Sequence, residues 1–448
     1  MNFDIVVIGG NPAGSTAAVT AKKMNKNKSV LVIRKEPKSL IPCGIPYTFG
    51  TLDNIEDDIK PITGAQKAGV EFLFNEVVSV DANQKELTLK TKEKVTYDKL
   101  IFATGSNPFV PPITGHDLPG VVTISKEFEY IKKVNNILAN AKKVVVIGAG
   151  FIGVEVSDEI AKSNKEVTLI ESMDSILPLA FDKDVIGSVK NTLIKHGVIL
   201  KTGEMVKAII EDDGKVSGVS LKNGETIEAD MVILSIGYRP NSNLAKDTGL
   251  EISKFGGIVV DEYLRTSEKD IFAVGDCVSH KDFFSHKPSN VMLASTGASE
   301  ARIAGMNLYD IKVVRQSKGS IAIFSTSLGE ISIAAAGMTE HTAVVEGFNV
   351  VVGKSEGKDQ HPGKLPHCCN QTVKLVFAEK SRLLLGAQIT GGQSTGEMIN
   401  ILGLALQKNM TAVELSVLQY GTHPKLTAGP GLYPIVSAAI DALCKMDF

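Results

Sequence analysis

Short apolar runs punctuated by glycine set the pattern of this chain. Ile5–Ile8 is an unbroken apolar run entered from Asp4, and a Gly-rich turn comes directly after it. Ala17–Met24 is an Ala-rich helical stretch, and Ser29–Ile33 is apolar again. Runs of this kind predict strands buried on both faces, and the order strand, helix, strand predicts a parallel βαβ unit. Short strands alternate between Gly69 and Tyr97, as in a hairpin inserted into a larger domain. Leu100–Gly105 then returns as a buried strand ending in a tight turn, and the proline-rich stretch 108–119 predicts a connector.

The same plan appears a second time. Lys143–Ile147 is a strand, a helix begins near Phe151, and Val167–Ile170 is the next strand. A hairpin spans Met205–Glu228, and Asp230–Ile236 closes the unit, running into Gly237-Tyr238-Arg239-Pro240-Asn241. Asp270–Gly275 is one more parallel strand and is followed by a helix over Asn290–Asn307; both rejoin the first unit. From about Ser320 the pattern changes to strands at Thr372–Phe377 and Leu383–Gln388, then helices at Thr395–Lys408 and Tyr433–Lys445. That change predicts a separate α+β domain.

The length of 448 residues fits two or three domains, and 43% hydrophobic residues can fill their cores. Lys+Arg at 48 and Asp+Glu at 50 leave a net charge of -2, which gives no reason to expect nucleic acid as a partner. No apolar run reaches membrane-spanning length, and Met1 leads almost directly into a strand with no signal-peptide pattern, so a cytoplasmic protein is expected. The five cysteines (Cys43, Cys277, Cys368, Cys369, Cys444) are odd in number and contain no C-x-x-C, so neither a disulfide framework nor a metal site is expected.

Two glycine-rich turns stand where a strand enters a helix. Gly9-Gly10-Asn11-Pro12-Ala13-Gly14 is an imperfect dinucleotide fingerprint, with Asn11 at the middle glycine position. Gly148, Gly150 and Gly153 complete a full one. Glycines there permit the tight turn and let a pyrophosphate approach the helix N-terminus. Glu171 ends the next strand at the distance expected of a ribose acceptor, and it disfavours a 2′-phosphate, so NADH is favoured over NADPH. For the first site the ribose acceptor is assigned to Glu36, two residues past Arg34. Gly275-Asp276 places a carboxylate at the carboxyl end of a parallel strand, where it can accept from sugar-like hydroxyls; the plainer reading of Asp276 is a helix cap.

Both fingerprints, Thr104-Gly105, Gly237-Tyr238-Arg239-Pro240 and Gly275-Asp276, in this order, resemble the pyridine nucleotide–disulfide oxidoreductases over nearly the whole chain. The resemblance implies an α/β fold with two Rossmann-like domains and a C-terminal α+β domain. Residues 1–115 and 245–318 would bind FAD, residues 116–244 would bind NAD(P), and residues 319–448 would form a homodimer. FAD contacts fall to Gly9, Asn11, Gly14, Glu36, Thr104, Gly105 and Asp276. NADH contacts fall to Gly148, Gly150, Gly153, Glu171 and Gly237.

Ser39-x-x-x-Cys43-Gly44-x-Pro46-Tyr47 is similar to the single-cysteine branch of that family, since Thr48 stands where a two-cysteine enzyme carries its second sulfur. The branch comprises coenzyme A disulfide and persulfide reductases, sulfur reductases, and NADH oxidases and peroxidases. Glycine and proline around Cys43 predict a turn entering a helix, whose N-terminal charge would lower the thiol pKa. Oxidases and peroxidases of the branch resemble one another in a histidine within the first glycine loop. Pro12 stands there, which points to a low-molecular-weight disulfide, persulfide or polysulfide as acceptor. Lys22, Lys23 and Ser39 match positions that contact coenzyme A in that branch, with a solvated helix face as the other reading of the lysines. His423-Pro424 resembles a motif whose histidine reaches the partner subunit's site, but Ala428 replaces its acid; Tyr433 and Tyr420 are the alternatives. Cys368 and Cys369 fall in a surface loop, and Cys277 and Cys444 read as packing residues. Two other activities stay open: an NADH oxidase cycling through a cysteine sulfenic acid, and an electron donor to a small redox protein.

Overall fold

The computed structural model describes residues 1–314 and 318–447. The apolar run at the N-terminus forms strand Asn2–Ile8, parallel both to Val30–Arg34 and to Lys94–Phe102. Ile5 is paired with Val30 on one side and Lys99 on the other, so the strand is central and its apolar residues are buried. Ile271–Ala273 adds to the far side of Lys94–Phe102 in parallel, as the sequence pattern predicts. The inserted hairpin appears as Val77–Asp81 and Glu86–Leu89, antiparallel to one another and joined to the same sheet.

The first helix runs over Pro12–Met24, a full turn earlier than its alanine content indicates, because Pro12 is tolerated at the first helical position. It packs on helix Ala294–Met306 through small residues. A Cβ on Gly305 would lie 2.9 Å from the Ala17 carbonyl oxygen, so only glycine admits that approach.

The second unit is a five-stranded, all-parallel sheet in the order Val198–Thr202, Glu166–Glu171, Lys143–Ile147, Met231–Leu234, Val121–Thr123. Its inserted meander is Val206–Asp212, Lys215–Leu221 and Thr226–Glu228. The chain enters and leaves this unit through one antiparallel pair, Ser106–Pro108 against Tyr238–Pro240. The C-terminal part is a five-stranded antiparallel sheet, with helices Thr395–Gln407 and Pro434–Leu443 contributing to its core. The described residues therefore build two α/β units, the first with a mixed and the second with a parallel sheet, and one α+β unit, the class that the periodicity indicates.

Candidate active site

The first glycine loop is closed by its own backbone. Gly9 has φ +105° and its N–H donates to Ile33 O at 2.8 Å. A Cβ on Gly9 would meet Ala103 O at 2.2 Å, and one on Gly14 would meet Gly9 O at 2.0 Å. These two positions thus admit only glycine, and the first free N–H groups of helix Pro12–Met24 face the loop. Asn11 caps this helix without a side-chain bond to it. Its Oδ1 instead accepts from the Ser39 hydroxyl, which ties the loop to the segment that carries Cys43.

Cys43 is exposed and lies in a turn stitched by Gly44 N–H to Ile41 O at 2.8 Å and Ile41 N–H to Asp58 O at 2.9 Å. The turn leads into a five-residue 3-10 helix, Ile45–Phe49, not an α-helix, so the expected helix-dipole effect on the thiol is missing. The shift is in fact opposite to that expectation. The protein mass around the sulfur pushes the thiol pKa up. The Glu155, Asp276 and Asp58 carboxylates add to the rise, while Lys126 opposes it. Thr48 is buried with its hydroxyl on Ile45 O at 2.8 Å.

The 3-10 helix packs against helix Phe151–Ala161, which opens at the second glycine loop. A Cβ on Gly50 would meet Glu159 O at 2.2 Å, and the Thr51 hydroxyl donates to Glu159 Oε2 at 2.7 Å. The segment that carries Cys43 is thus tied to the first glycine loop at one end and, at the other, to the helix that follows the second. Glu155, two residues past Gly153 on this helix, is the largest charge acting on Cys43. Burial raises its carboxyl to about 7, against a hydrogen bond from the Thr326 hydroxyl at 2.6 Å. Sequence reasoning missed Glu155. Its spacing of four from Phe151, on the first turns of a nucleotide-loop helix, is the signal that was available.

In the second loop Gly148 has φ +100°, and a Cβ on Gly153 would meet Gly148 O at 1.9 Å. Gly150 precedes the helix and faces open space. Glu171 ends strand Glu166–Glu171 beside the loop. Its Oε2 accepts from Ala149 N at 2.8 Å and its Oε1 from Met173 N at 2.9 Å. Gly237, with φ +106°, receives Phe109 N–H on its carbonyl at 2.8 Å and so closes the crossing between the units.

Asp276 comes after strand Ile271–Ala273, and its Oδ2 accepts from Lys126 Nζ at 2.7 Å and the Ser106 hydroxyl at 2.8 Å. Burial acts to raise this carboxyl, but Lys126 and the two hydrogen bonds hold it below the usual carboxylate range. Thr104 donates its hydroxyl to Asn241 O at 2.5 Å, next to Gly105 at φ +72°. The first loop, Thr104–Ser106, Asp276 and Cys43 therefore line one end of the parallel sheets, the carboxyl end where ligands bind in such folds.

Other residues singled out in the sequence have these surroundings. Arg34 ends its strand, and Glu36 follows two residues later. Glu36 is drawn to the N-terminus of helix Phe128–Asn140, where its Oε2 accepts from Phe128 N at 2.9 Å. Lys22 sits at the far end of the first helix, and its ammonium donates to the Lys28 and Lys26 carbonyls at 2.7 and 3.0 Å; Lys23 is exposed. Tyr433 is buried and stacks on Tyr420 at 4.1 Å and 16°, within its own domain's core. Burial, then Tyr420, raises its phenol pKa. His423 is exposed, with Nδ1 accepting from Lys425 N at 3.3 Å. Among the described residues, neither shares a hydrogen bond with the Cys43 turn. Cys277 is fully buried, but Cys444 is exposed and not a packing residue. Cys368 and Cys369 are half-buried in the loop before strand Asn370–Ala378, and no group of His, Cys, Asp and Glu there or elsewhere among the described residues could hold a metal.

The family described as pyridine nucleotide-disulphide oxidoreductase matches residues 3–301, and its dimerisation domain matches residues 323–430. The chain is 30% identical to an NADH oxidase of Methanocaldococcus jannaschii over 457 residues, covering 98% of this chain and 99% of that one. It is 31% identical to an NAD(P)H coenzyme A polysulfide/persulfide reductase of Pyrococcus horikoshii over 402 residues, 87% and 88% of the two chains. Among solved structures, an NAD-dependent persulfide reductase from A. fulgidus superposes with a TM-score of 0.90 at 30% identity, over 99% of this chain and 83% of that one. The chain belongs to the pyridine nucleotide-disulphide oxidoreductases. Within that class it is an NAD(P)H-dependent flavoprotein oxidoreductase, and its C-terminal domain is the one through which such chains form a dimer. No helix among the described residues is long and apolar enough to cross a membrane.

The first site fits FAD. Its glycines leave room that a Cβ would fill, its helix N-terminus is free of acidic side chains, and a buried cation, Arg34, lies there with Nε and Nη1 lacking an acceptor among the described residues.

Proposed function

We propose that the protein uses NADH to reduce coenzyme A disulfide, coenzyme A persulfide or polysulfide at Cys43. The observation that carries this reading is the setting of the sulfur: an exposed thiol, without a second cysteine in its helix, on a segment tied to the first glycine loop and to the helix that follows the second. FAD, when bound, supplies the two-electron link between the nicotinamide and that sulfur. The Cys43 thiolate attacks the S–S bond of the substrate, forms a mixed disulfide and releases one thiolate. Two electrons then cleave the mixed disulfide, which restores the Cys43 thiolate and releases the second thiol after it takes a proton. Glu155, protonated up to about pH 7, holds that proton beside the sulfur. Glu171 accepts at the nicotinamide nucleotide's ribose, and Ser172 and Met173 offer no charge to a 2′-phosphate. Pro12 offers no donor to peroxide or oxygen at the first loop. Lys22, exposed Lys23 and the buried Ser39 on the Cys43 segment are the contacts proposed for coenzyme A.

The test is anaerobic NADH oxidation with coenzyme A disulfide, coenzyme A persulfide, polysulfide and peroxide in turn. The sulfur acceptors are reduced, and Cys43→Ser loses that activity while it retains flavin. Full disulfide reduction by Cys43→Ser would overturn the mechanism. Stoichiometric oxygen uptake, indifferent to added disulfide, would make the protein an oxidase, the activity named for the M. jannaschii relative.

A further inference from the structure

In a dinucleotide-binding βαβ unit the residue that ends the second strand reads the adenosine ribose, ordinarily as a carboxylate acceptor. Here that strand is Val30–Arg34, and its last residue is a cation. Arg34 is only 7% exposed. Its side chain passes directly under the glycine loop: a Cβ on Gly10 would lie 2.8 Å from Arg34 Cδ, so the second glycine of the Gly9-Gly10 pair makes room for it. The guanidinium lies 5.8 and 5.3 Å from the Phe72 and Phe74 ring centres, and Nη2 donates to the Pro37 carbonyl. Nε and Nη1 are buried with no acceptor among the described residues.

A second cation reaches the same loop, with Lys60 Nζ 3.5 Å from Gly10 O. Burial, and then the Arg34 charge, push this ammonium down to about 8. The nearby acid, Glu36, is engaged at Phe128 N. A buried guanidinium with open donors beside a second cation is costly unless acceptor oxygens and negative charge arrive. An adenine dinucleotide brings both, as ribose oxygens and a pyrophosphate.

We propose that Arg34, with Lys60 beside it, recognises the adenosine end of the dinucleotide in the first site, donating to ribose oxygens where a carboxylate would ordinarily accept. The inference rests on the assignment of FAD to that site. It makes grip on the adenosine half a matter of positive charge, and hence sensitive to salt.

The experiment measures FAD dissociation from the full-length protein by recovery of flavin fluorescence, across ionic strength, for wild type, Arg34→Met, Arg34→Lys and Lys60→Met. Arg34→Met weakens FAD binding by about 10- to 100-fold and flattens its salt dependence. Arg34→Lys, which keeps the charge and loses the planar fork, recovers part of the affinity and covers the case in which the methionine variant does not fold. Unchanged affinity and salt slope in a well-folded Arg34→Met protein would overturn the proposal. So would displacement of FAD by adenosine 2′,5′-bisphosphate far better than by ADP, since a phosphate would then be what Arg34 reads. A wild-type protein that binds no FAD would remove the flavin assignment itself, an outcome distinct from the variants' failure.

Discussion

The Thr326 hydroxyl donates to the Glu155 carboxylate at 2.6 Å and so joins the C-terminal sheet to the helix that opens the second glycine loop. Phe324, two residues earlier on the same strand, stacks on Phe151 at 4.8 Å and 24°, one turn before Glu155. The carboxylate that acts most strongly on the Cys43 thiol is therefore set by two domains at once.

Thr326→Val removes a bond that stabilises the ionised carboxylate, so the Glu155 pKa rises further above about 7. The alkaline limb of the pH–rate profile for disulfide reduction moves to higher pH in this variant. A profile identical to wild type would show that Glu155 does not supply the titrating proton.

Glu155→Gln removes both the acid and the largest charge that raises the Cys43 thiol. Disulfide reduction falls by about a hundredfold, and the loss of rate above about pH 7 disappears with it. At the same time Cys43 alkylation by iodoacetamide, followed above neutral pH where Glu155 is charged in wild type, shifts its midpoint to lower pH. Opposite movements of these two readouts separate a proton-holding role from a merely structural one.

Glu171→Ala combined with Ser172→Arg exchanges a ribose acceptor for a cation at the edge of the second loop. The ratio of kcat/KM for NADPH to that for NADH rises by about tenfold or more. Steady-state rates with each nucleotide check this, and a ratio that does not move would mean Glu171 serves the loop's backbone alone.

How much of this was legible in the sequence depends on how local each signal is. The glycine loops were readable because turn, strand and helix N-terminus are adjacent in the chain. The surroundings of Glu36 were not, because helix Phe128–Asn140, whose Phe128 N–H donates to it, lies about ninety residues further along the chain. Cys43 stood out as a lone sulfur after the first loop, but its upward shift comes first from burial and then from the carboxylates of Glu155, Asp276 and Asp58, all of which only the fold brings near. The stacking of Tyr433 on Tyr420 was not legible either, since it pairs two residues on separate elements of the C-terminal domain.

Lys374 shows the same limit. It lies in strand Asn370–Ala378, is 1% exposed, and meets Asp182 at 3.0 Å, Asp184 at 2.9 Å and Glu340 at 2.8 Å. Burial works against this cation, but the three acids raise it to about 12. Lys374→Met strands those charges between the second unit and the C-terminal sheet. With two of the acids facing water, the loss of stability is about 2 kcal/mol or more, measured by urea unfolding. An unchanged midpoint would show that the acids are solvated well enough without it.

The antiparallel pairing of Ser106–Pro108 with Tyr238–Pro240 makes the whole intervening segment a cassette whose two cut ends already touch. Tyr238 lies opposite Pro108 and Pro240 opposite Ser106, so a foreign module with adjoining termini could be spliced there without lengthening either connection. The same geometry explains how a duplicated unit could enter the loop of an ancestor and leave the host sheet, which closes with Ile271–Ala273, in register.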